Sequence, residues 1–160
     1  SPNHPMALVP PFTRQTAEKK VKAGQDLWNT RDPERVALAY TVHCRWRNRD
    51  SFVTGRKEIV EFLSKKWAKE DGYRLRKELF AFTDNVIAVQ FWYEWYETKP
   101  DGTKQWWRTY GLEDWTYAED GLMKKRQMSG NDVKITHEQR WFTEEVEDVN
   151  AVKLTEHMFI

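Results

Sequence analysis

The chain is poor in the residues that usually announce a reaction. Cys44 is the single cysteine among 160 residues, so no intramolecular disulfide forms and no thiolate cluster can hold zinc or iron–sulfur. A reducing, cytoplasmic setting is the expectation. Histidine stands at His4, His43, His137 and His157, without His-x-x-x-His or carboxylate ligand spacing, and no metal ion is expected. Glycine is scarce, at 7 residues, and none falls into Gly-x-Gly-x-x-Gly, a phosphate-binding loop or Gly-x-Ser-x-Gly. Nucleotide cofactors and a serine-hydrolase elbow have no support, and no cofactor is expected. No apolar run approaches the ~20 residues of a membrane helix, and no charged head with an apolar stretch opens the chain. Charge of one sign is missing too. The 26 Lys and Arg are interleaved with 25 Asp and Glu, leaving no field for nucleic acid or an anionic membrane.

What is present is aromatic. The chain holds 9 Trp and is 14% Phe, Trp and Tyr, yet its mean hydropathy is −0.86. A disordered chain would lack aromatics, so the pattern describes a charged exterior around an aromatic core. The length suits one domain that buries a core without staples. Ser1–Pro5 precede Met6 and are expected to be foreign to the native chain, within an extended segment over 1–9.

Thr13 is placed to cap a helix whose body runs from Thr16 to Trp28, with Ala17, Val21, Gly24 and Leu27-Trp28 as its buried stripe. Asp32-Pro33 predicts a second, short helix to Ala39. Tyr40 to Asn48 reads as a strand with Val42, Cys44, Trp46 and Asn48 on one side. Ile59, Phe62, Leu63 and Trp67 share a face of a third helix, about Lys57 to Lys69, closed by Gly72. From Tyr73 to Val133 the chain reads as strand, rich in β-branched and aromatic residues. The resulting fold class is α+β, with N-terminal helices packed on a strongly curved antiparallel sheet over residues 10–135. The tail over 136–160 is expected to be irregular, and its part beyond Phe142, acidic at first, to be loosely packed or disordered.

Two turns fix a register. Lys99-Pro-Asp-Gly-Thr103 and Ala118-Glu-Asp-Gly-Leu122 each suit a type I turn with glycine in the left-handed region. The first pairs Glu94 with Arg108 and Trp92 with Tyr110. The second pairs Arg108 with Asp132 and Asp114 with Arg126. One face then carries a Glu94–Arg108–Asp132 ladder, a register device or an anion-binding row. The other carries Phe80, Phe82, Ile87, Val89, Phe91, Tyr93, Trp95 and Trp115, with Thr109, Glu113, Gln127, Ser129 and Asn131 among them. A carboxylate there is expected to have a raised pKa, so Glu113 reads as a proton carrier, with Asn131 and Tyr93 as partners. Trp46, Trp115, Thr109, Gln127, Ser129, Arg108, Glu94, Asp132 and His43 complete the candidate substrate-binding set. Aromatics on both faces predict a homodimer, since helices cover only one.

The chain resembles the nuclear transport factor 2-like, or SnoaL-like, superfamily, nearest a subgroup known as a domain of unknown function. The resemblance rests on Pro10-Pro-Phe-Thr13, Trp28-Asn29, Asp32-Pro33, Trp46-Arg-Asn-Arg49, Gly55-Arg56, Ile59, Phe62-Leu63 and Lys66-Trp67. It continues through Tyr73-Arg-Leu75, Lys77-Glu78, Tyr93-Glu-Trp95, Tyr110-Gly111, Gly121-Leu-Met123 and Asn131-Asp132. Leu112 and Thr116 depart from the subgroup's pattern. The resemblance implies a cone-shaped fold with a cavity between sheet and helices, often dimeric through the sheet. The expected function is a cofactor-independent isomerase, cyclase or dehydratase that moves protons around a small hydrophobic or aromatic ligand. The alternative is a ligand-binding or dimerisation module on the same cone.

Overall fold

The computed structural model describes residues 8–154, so the expectation for Ser1–Pro5 lies outside the described residues. The helices are α1 (Arg14–Asn29), α2 (Pro33–Ala37) and α3 (Gly55–Lys69). The strands are β1 (Tyr40–Asn48), β2 (Ser51–Thr54), β3 (Asp71–Thr83), β4 (Val86–Thr98), β5 (Lys104–Tyr117) and β6 (Met123–Ile135). The architecture is the α+β cone that the pattern of elements implied.

Helix ends follow capping chemistry. The Thr13 hydroxyl accepts from the Thr16 amide, and the Thr16 hydroxyl accepts in return from the Thr13 amide, which satisfies two amides that the helix leaves unpaired. Asp32 caps α2, with Pro33 at its first position. The face that α1 buries is Ala17, Val21, Gln25 and Trp28. Ile59 and Leu63 of α3 reach the same core and are fully buried.

The strands lie in the order β2-β1-β6-β5-β4-β3, antiparallel except where β1 runs parallel to β6. On the concave face Phe91 lies across Gly111, where any Cβ would overlap its ring. That leaves the Phe91 ring parallel to Tyr93, with centroids 6.0 Å apart.

The first hairpin forms as its turn chemistry dictates. The Lys99 amide donates to the Thr103 carbonyl at 2.7 Å, and Glu94 faces Arg108 while Trp92 faces Tyr110. The second hairpin begins as expected, with Tyr117 opposite Met123, but Thr116 then pairs with Lys125. Lys124 is the extra residue of a bulge. Every later pair slips by one, so Arg108 faces Val133, Thr109 faces Asp132 and Asp114 faces Gln127. A one-residue slip exchanges faces. Arg126 and Met128 turn inward and are buried, while Gln127, Ser129 and Asn131 turn outward. The three-membered ladder expected on Arg108 is therefore a pair, Glu94–Arg108.

Two further bulges correct the inner face. One between Leu79 and Ala81 leaves Phe80 67% and Phe82 37% exposed. Another between Tyr40 and Arg45 leaves Val42 outside, while Tyr40, Cys44, Trp46 and Asn48 point inward.

The described part of the tail, 136–154, is irregular, with single 3-10 turns at His137–Gln139 and Val149–Ala151, but it is not loosely packed; the expectation for 155–160 lies outside the described residues. It crosses the convex face as a strap. Phe142 and Val149 are buried on Trp92. The Glu94 carboxylate accepts from the Trp141 amide at 3.0 Å and the Phe142 amide at 2.9 Å. Arg108 holds the other oxygen of this cap through its Nε, at 2.9 Å from Glu94 Oε2. Two guanidinium–indole contacts run in opposite senses: Arg108 of the sheet lies 3.5 Å from the Trp141 centroid, and Arg140 of the strap 3.5 Å from that of Trp106. Arg76 donates to the Val149 and Val152 carbonyls at 2.8 and 2.9 Å. The convex aromatics taken to require a second subunit are thus covered, at this end, by the chain's own strap.

Candidate functional site

The slip that removes Asp132 from Arg108 builds a different row on the concave face. Tyr93, Thr109 and Asp132 stand side by side on β4, β5 and β6. Tyr93 and Asp132 line a cleft of about 570 Å³ between α3, the β1–β2 turn and the strand ends, with Thr109 fully buried behind them. Arg49, Phe62, Lys66, Tyr93, Trp95 and Asp132 are among its lining residues. A cleft of this size suits a small organic molecule.

Asp132 is held from one side only. Arg49 Nη2 and Thr109 Oγ1 both donate to its Oδ1, each at 2.6 Å, and Oδ2 has no partner among the described residues. Its side chain is 34% exposed. The Tyr93 hydroxyl accepts from Arg49 Nη2 at 3.5 Å, and Lys66 Nζ lies 4.1 Å from the Tyr93 ring centroid. Lys66 in turn bonds Glu70 at 2.6 Å. Burial disfavours both cations, but Tyr93 with Glu70 outweighs it for Lys66, and Tyr93 with Asp132 for Arg49, so both pKa values are raised. Both cations stay charged across the physiological range.

Arg49 carries strain. It occupies the β1–β2 turn with φ +59°, a left-handed conformation that bulky residues seldom adopt and that is concentrated at functional sites. Its side chain compensates by bonding Gly130, Tyr93 and Asp132.

Glu113 lies elsewhere, in the sealed core. Lys77 Nζ donates to its Oε1 and Arg126 Nε to its Oε2, the latter at 3.1 Å. Lys77 is enclosed by Trp28, Phe91 and Trp115, at 5.1, 5.3 and 5.0 Å from their centroids. Burial pushes the Glu113 carboxyl upward, as anticipated, but Lys77 and Arg126 together overcome it, and the net pKa is lowered. Burial, seconded by the nearby Arg126, lowers Lys77 to about 8 against the pull of Glu113. A paired carboxylate at a lowered pKa is a poor proton carrier.

The expected site residues therefore divide. Tyr93, Thr109 and Asp132 come together at the cleft. Glu113, Trp115 and Trp46 are core, Trp46 beneath the Arg126 guanidinium at 4.6 Å. Glu94 and Arg108 hold the strap. Gln127, Ser129 and Asn131 face outward because of the bulge, and His43 is exposed on the far side of β1. Lys66, Glu70, Lys77 and Arg126 were missed. Lys77 had a signal, since it continues the Tyr73, Leu75 alternation onto the buried face.

Among the described residues no three His, Cys, Asp or Glu side chains come together as a metal site. No helix among them is long and apolar enough to cross a membrane.

Solved structures share the cone. SalBIII, an epoxide hydrolase/cyclase-like enzyme of pyran ring formation in salinomycin, superposes with TM-score 0.63 at 14% identity, over 73% of this chain and 92% of its own. A Shewanella denitrificans protein described as a SnoaL-like polyketide cyclase gives TM-score 0.64 at 10% identity, over 74% and 92%. A Catenulispora acidiphila protein of ketosteroid isomerase-like fold, in complex with trimethylamine, gives 0.57 at 12%, over 69% and 84%. At such identities the likeness is one of fold. No curated protein matches the sequence. Residues 10–143 match the family model described as protein of unknown function, DUF1348. The chain belongs to that family, on a SnoaL-like, nuclear transport factor 2-like cone.

Proposed function

We propose that the cleft is the active site of a cofactor-independent enzyme that moves protons on a small aromatic or apolar molecule, in an isomerisation, cyclisation, hydration or dehydration. The observation that carries this reading is Asp132 Oδ2, without a partner among the described residues, in a cleft that also presents the Tyr93 hydroxyl. Asp132 takes a proton from carbon, hydroxyl or water, and Tyr93 donates one to the substrate oxygen. Arg49 and Lys66 stabilise the negative charge that develops between them. Phe62 and Trp95 supply apolar surface for the substrate body. The cyclase and hydrolase/cyclase-like chemistry of the fold neighbours supports this as analogy.

The test is turnover of small aromatic ketones, enones and epoxides, followed by product formation and by deuterium uptake from heavy water. Asp132→Asn is expected to lower turnover by ~10²-fold or more without loss of folding. Equal activity in the variant would remove Asp132 from the mechanism. A second reading, binding without turnover, is favoured by the pairing of Lys66 with Glu70 and Arg49 with Asp132. It predicts ligands that bind the cleft and leave it unchanged.

The same reading includes a reducing cytoplasmic setting for the buried thiol of Cys44 and a homodimer through the convex face. Opposite edges of that face differ in sign. Arg45, Lys124 and Lys125 are exposed at β1 and β6, Glu144, Glu145, Glu147 and Asp148 on the strap by β3, and Leu112 between them at 55% exposure. A two-fold axis near Leu112 sets each edge on its opposite. Sedimentation is expected to show a dimer that weakens with salt, and a monomer at micromolar concentration would refute it.

A further inference from the structure

Asn48 ends β1 at the floor of the cleft and is nine-tenths buried, at 9% exposure. Its Oδ1 accepts from Arg126 Nη1 at 3.0 Å, while its Nδ2 has no partner among the described residues. The polarity of this amide is not free to reverse. A guanidinium only donates, so whichever amide atom faces Arg126 must be the oxygen. The NH₂ group is thereby turned away from the core and toward the cleft. Arg126 is itself immobilised, with Nε and Nη2 on Glu113, its guanidinium over Trp28 and Trp46, and Glu113 held from behind by Lys77. The relay Lys77–Glu113–Arg126 ends in a fixed N–H donor at the cleft floor.

We infer that Asn48 binds a neutral acceptor oxygen of the substrate, so that the ligand class is a ketone, enone or epoxide on an aromatic or conjugated body, and that Arg126 and Glu113 are positioning residues for that donor. The inference rests on the proposed cleft and narrows what enters it. A cation has nothing to gain from an amide N–H aimed at it. A hydrocarbon of the same shape would leave the donor desolvated and unpaired, which is where the selectivity arises. Neither Asp132 nor Tyr93 imposes this choice, because each can exchange bonds with a donor as well as with an acceptor once protons move.

The experiment uses the full chain and two probes of one shape, acetophenone and α-methylstyrene, which differ by C=O against C=CH₂. Binding is followed by NMR of the Tyr93 and Trp95 rings. Acetophenone is expected to bind the wild type about five- to tenfold more tightly than α-methylstyrene, the scale of one hydrogen bond. That gap should close in Asn48→Asp, which turns an acceptor toward the cleft, and in Asn48→Ala. It should survive in Arg126→Lys, which still only donates, and shrink in Arg126→Gln, which lets the amide reverse. A purely structural Arg126 would not separate Lys from Gln by probe preference. Equal binding of both probes in the wild type, or a gap that persists without Asn48, overturns the inference and leaves the cleft intact. If neither probe moves the Tyr93 and Trp95 resonances, the cleft reading falls and takes this one with it.

Discussion

Asp132 lies opposite Thr109 and accepts its hydroxyl at 2.6 Å, while Arg108, the preceding residue on β5, points to the other face and fastens the strap through Glu94. The division of labour between the two faces follows from the single extra residue at Lys124. Deleting Lys124 would remove only the unpaired residue, leaving Met123 opposite Tyr117 and Arg126 opposite Trp115 in an unbroken ladder. Arg126 would still face inward and keep Glu113 and Lys77 paired. Urea unfolding of the deletion variant is expected to stay within ~1 kcal/mol of wild type, and a loss of ~3–5 kcal/mol, the scale of a stranded buried charge, would contradict the account of the bulge.

Arg49 separates function from stability. At φ +59°, Arg49→Gly relieves backbone strain while removing the guanidinium from Asp132 and Tyr93. Its melting temperature is expected to stay within a few degrees of wild type, with cleft ligands bound at least ~10-fold more weakly. Thermal melts and ligand titration on one sample check both halves.

Glu113 is expected to behave as the reverse of Asp132. Glu113→Gln breaks a buried ionic triad and should destabilise by ~3–5 kcal/mol, which chemical denaturation would measure.

The same triad makes stability depend on pH. Folded Lys77 releases its proton near pH 8, against an ordinary 10.5. Below about 8 the cost of burying the ammonium is fully present. Between about 8 and 10.5 the unfolded chain holds the extra proton, so this group's contribution to stability rises with pH. The lowered pKa of Glu113 acts at the other end. Its contribution is complete above the ordinary carboxylate value and is lost as pH falls through the folded value. Denaturation at pH 7 and 10 should show the wild type gaining up to ~3 kcal/mol relative to Lys77→Met. A constant difference between the two proteins would refute the burial of a charged Lys77.

Much of this fold is legible in the sequence because local chemistry fixes it. Thr13 and Asp32 set helix starts, and Pro100-Asp101-Gly102 sets a hairpin, without help from distant residues, whereas Gly72, expected to close α3, stands within β3 beyond the cap at Glu70. The bulge had a fainter mark. Met123 and Met128 stand an odd number of residues apart, so they cannot share a face on a regular strand, yet both are buried. A purely alternating reading cannot place both. The cleft was less accessible, because Arg49, Lys66 and Asp132 meet only once β1, α3 and β6 converge. Tyr93 and Thr109 were found since strand pairing alone aligns them. The strap was misjudged on its acidic composition, although Trp141-Phe142 within it offered two large apolar anchors.

The strap is expected to be part of the cooperative unit. Phe142→Ala empties a pocket on Trp92 and should cost ~3–5 kcal/mol, with faster amide exchange at Trp141 and along β4. Loss of protection confined to residues beyond Phe142 would show instead that the strap is an appendage.

The most direct measurement is a crystal structure of the protein soaked with acetophenone. The ring is expected against Phe62 and Trp95, with the ketone oxygen within hydrogen-bond reach of Asn48 Nδ2 and the Tyr93 hydroxyl, beside Asp132 Oδ2. Acetophenone bound elsewhere, as under the strap at Trp106 or beside the exposed Val42, with the Asp132 cleft empty at saturation, would contradict the assignment of that cleft as the site.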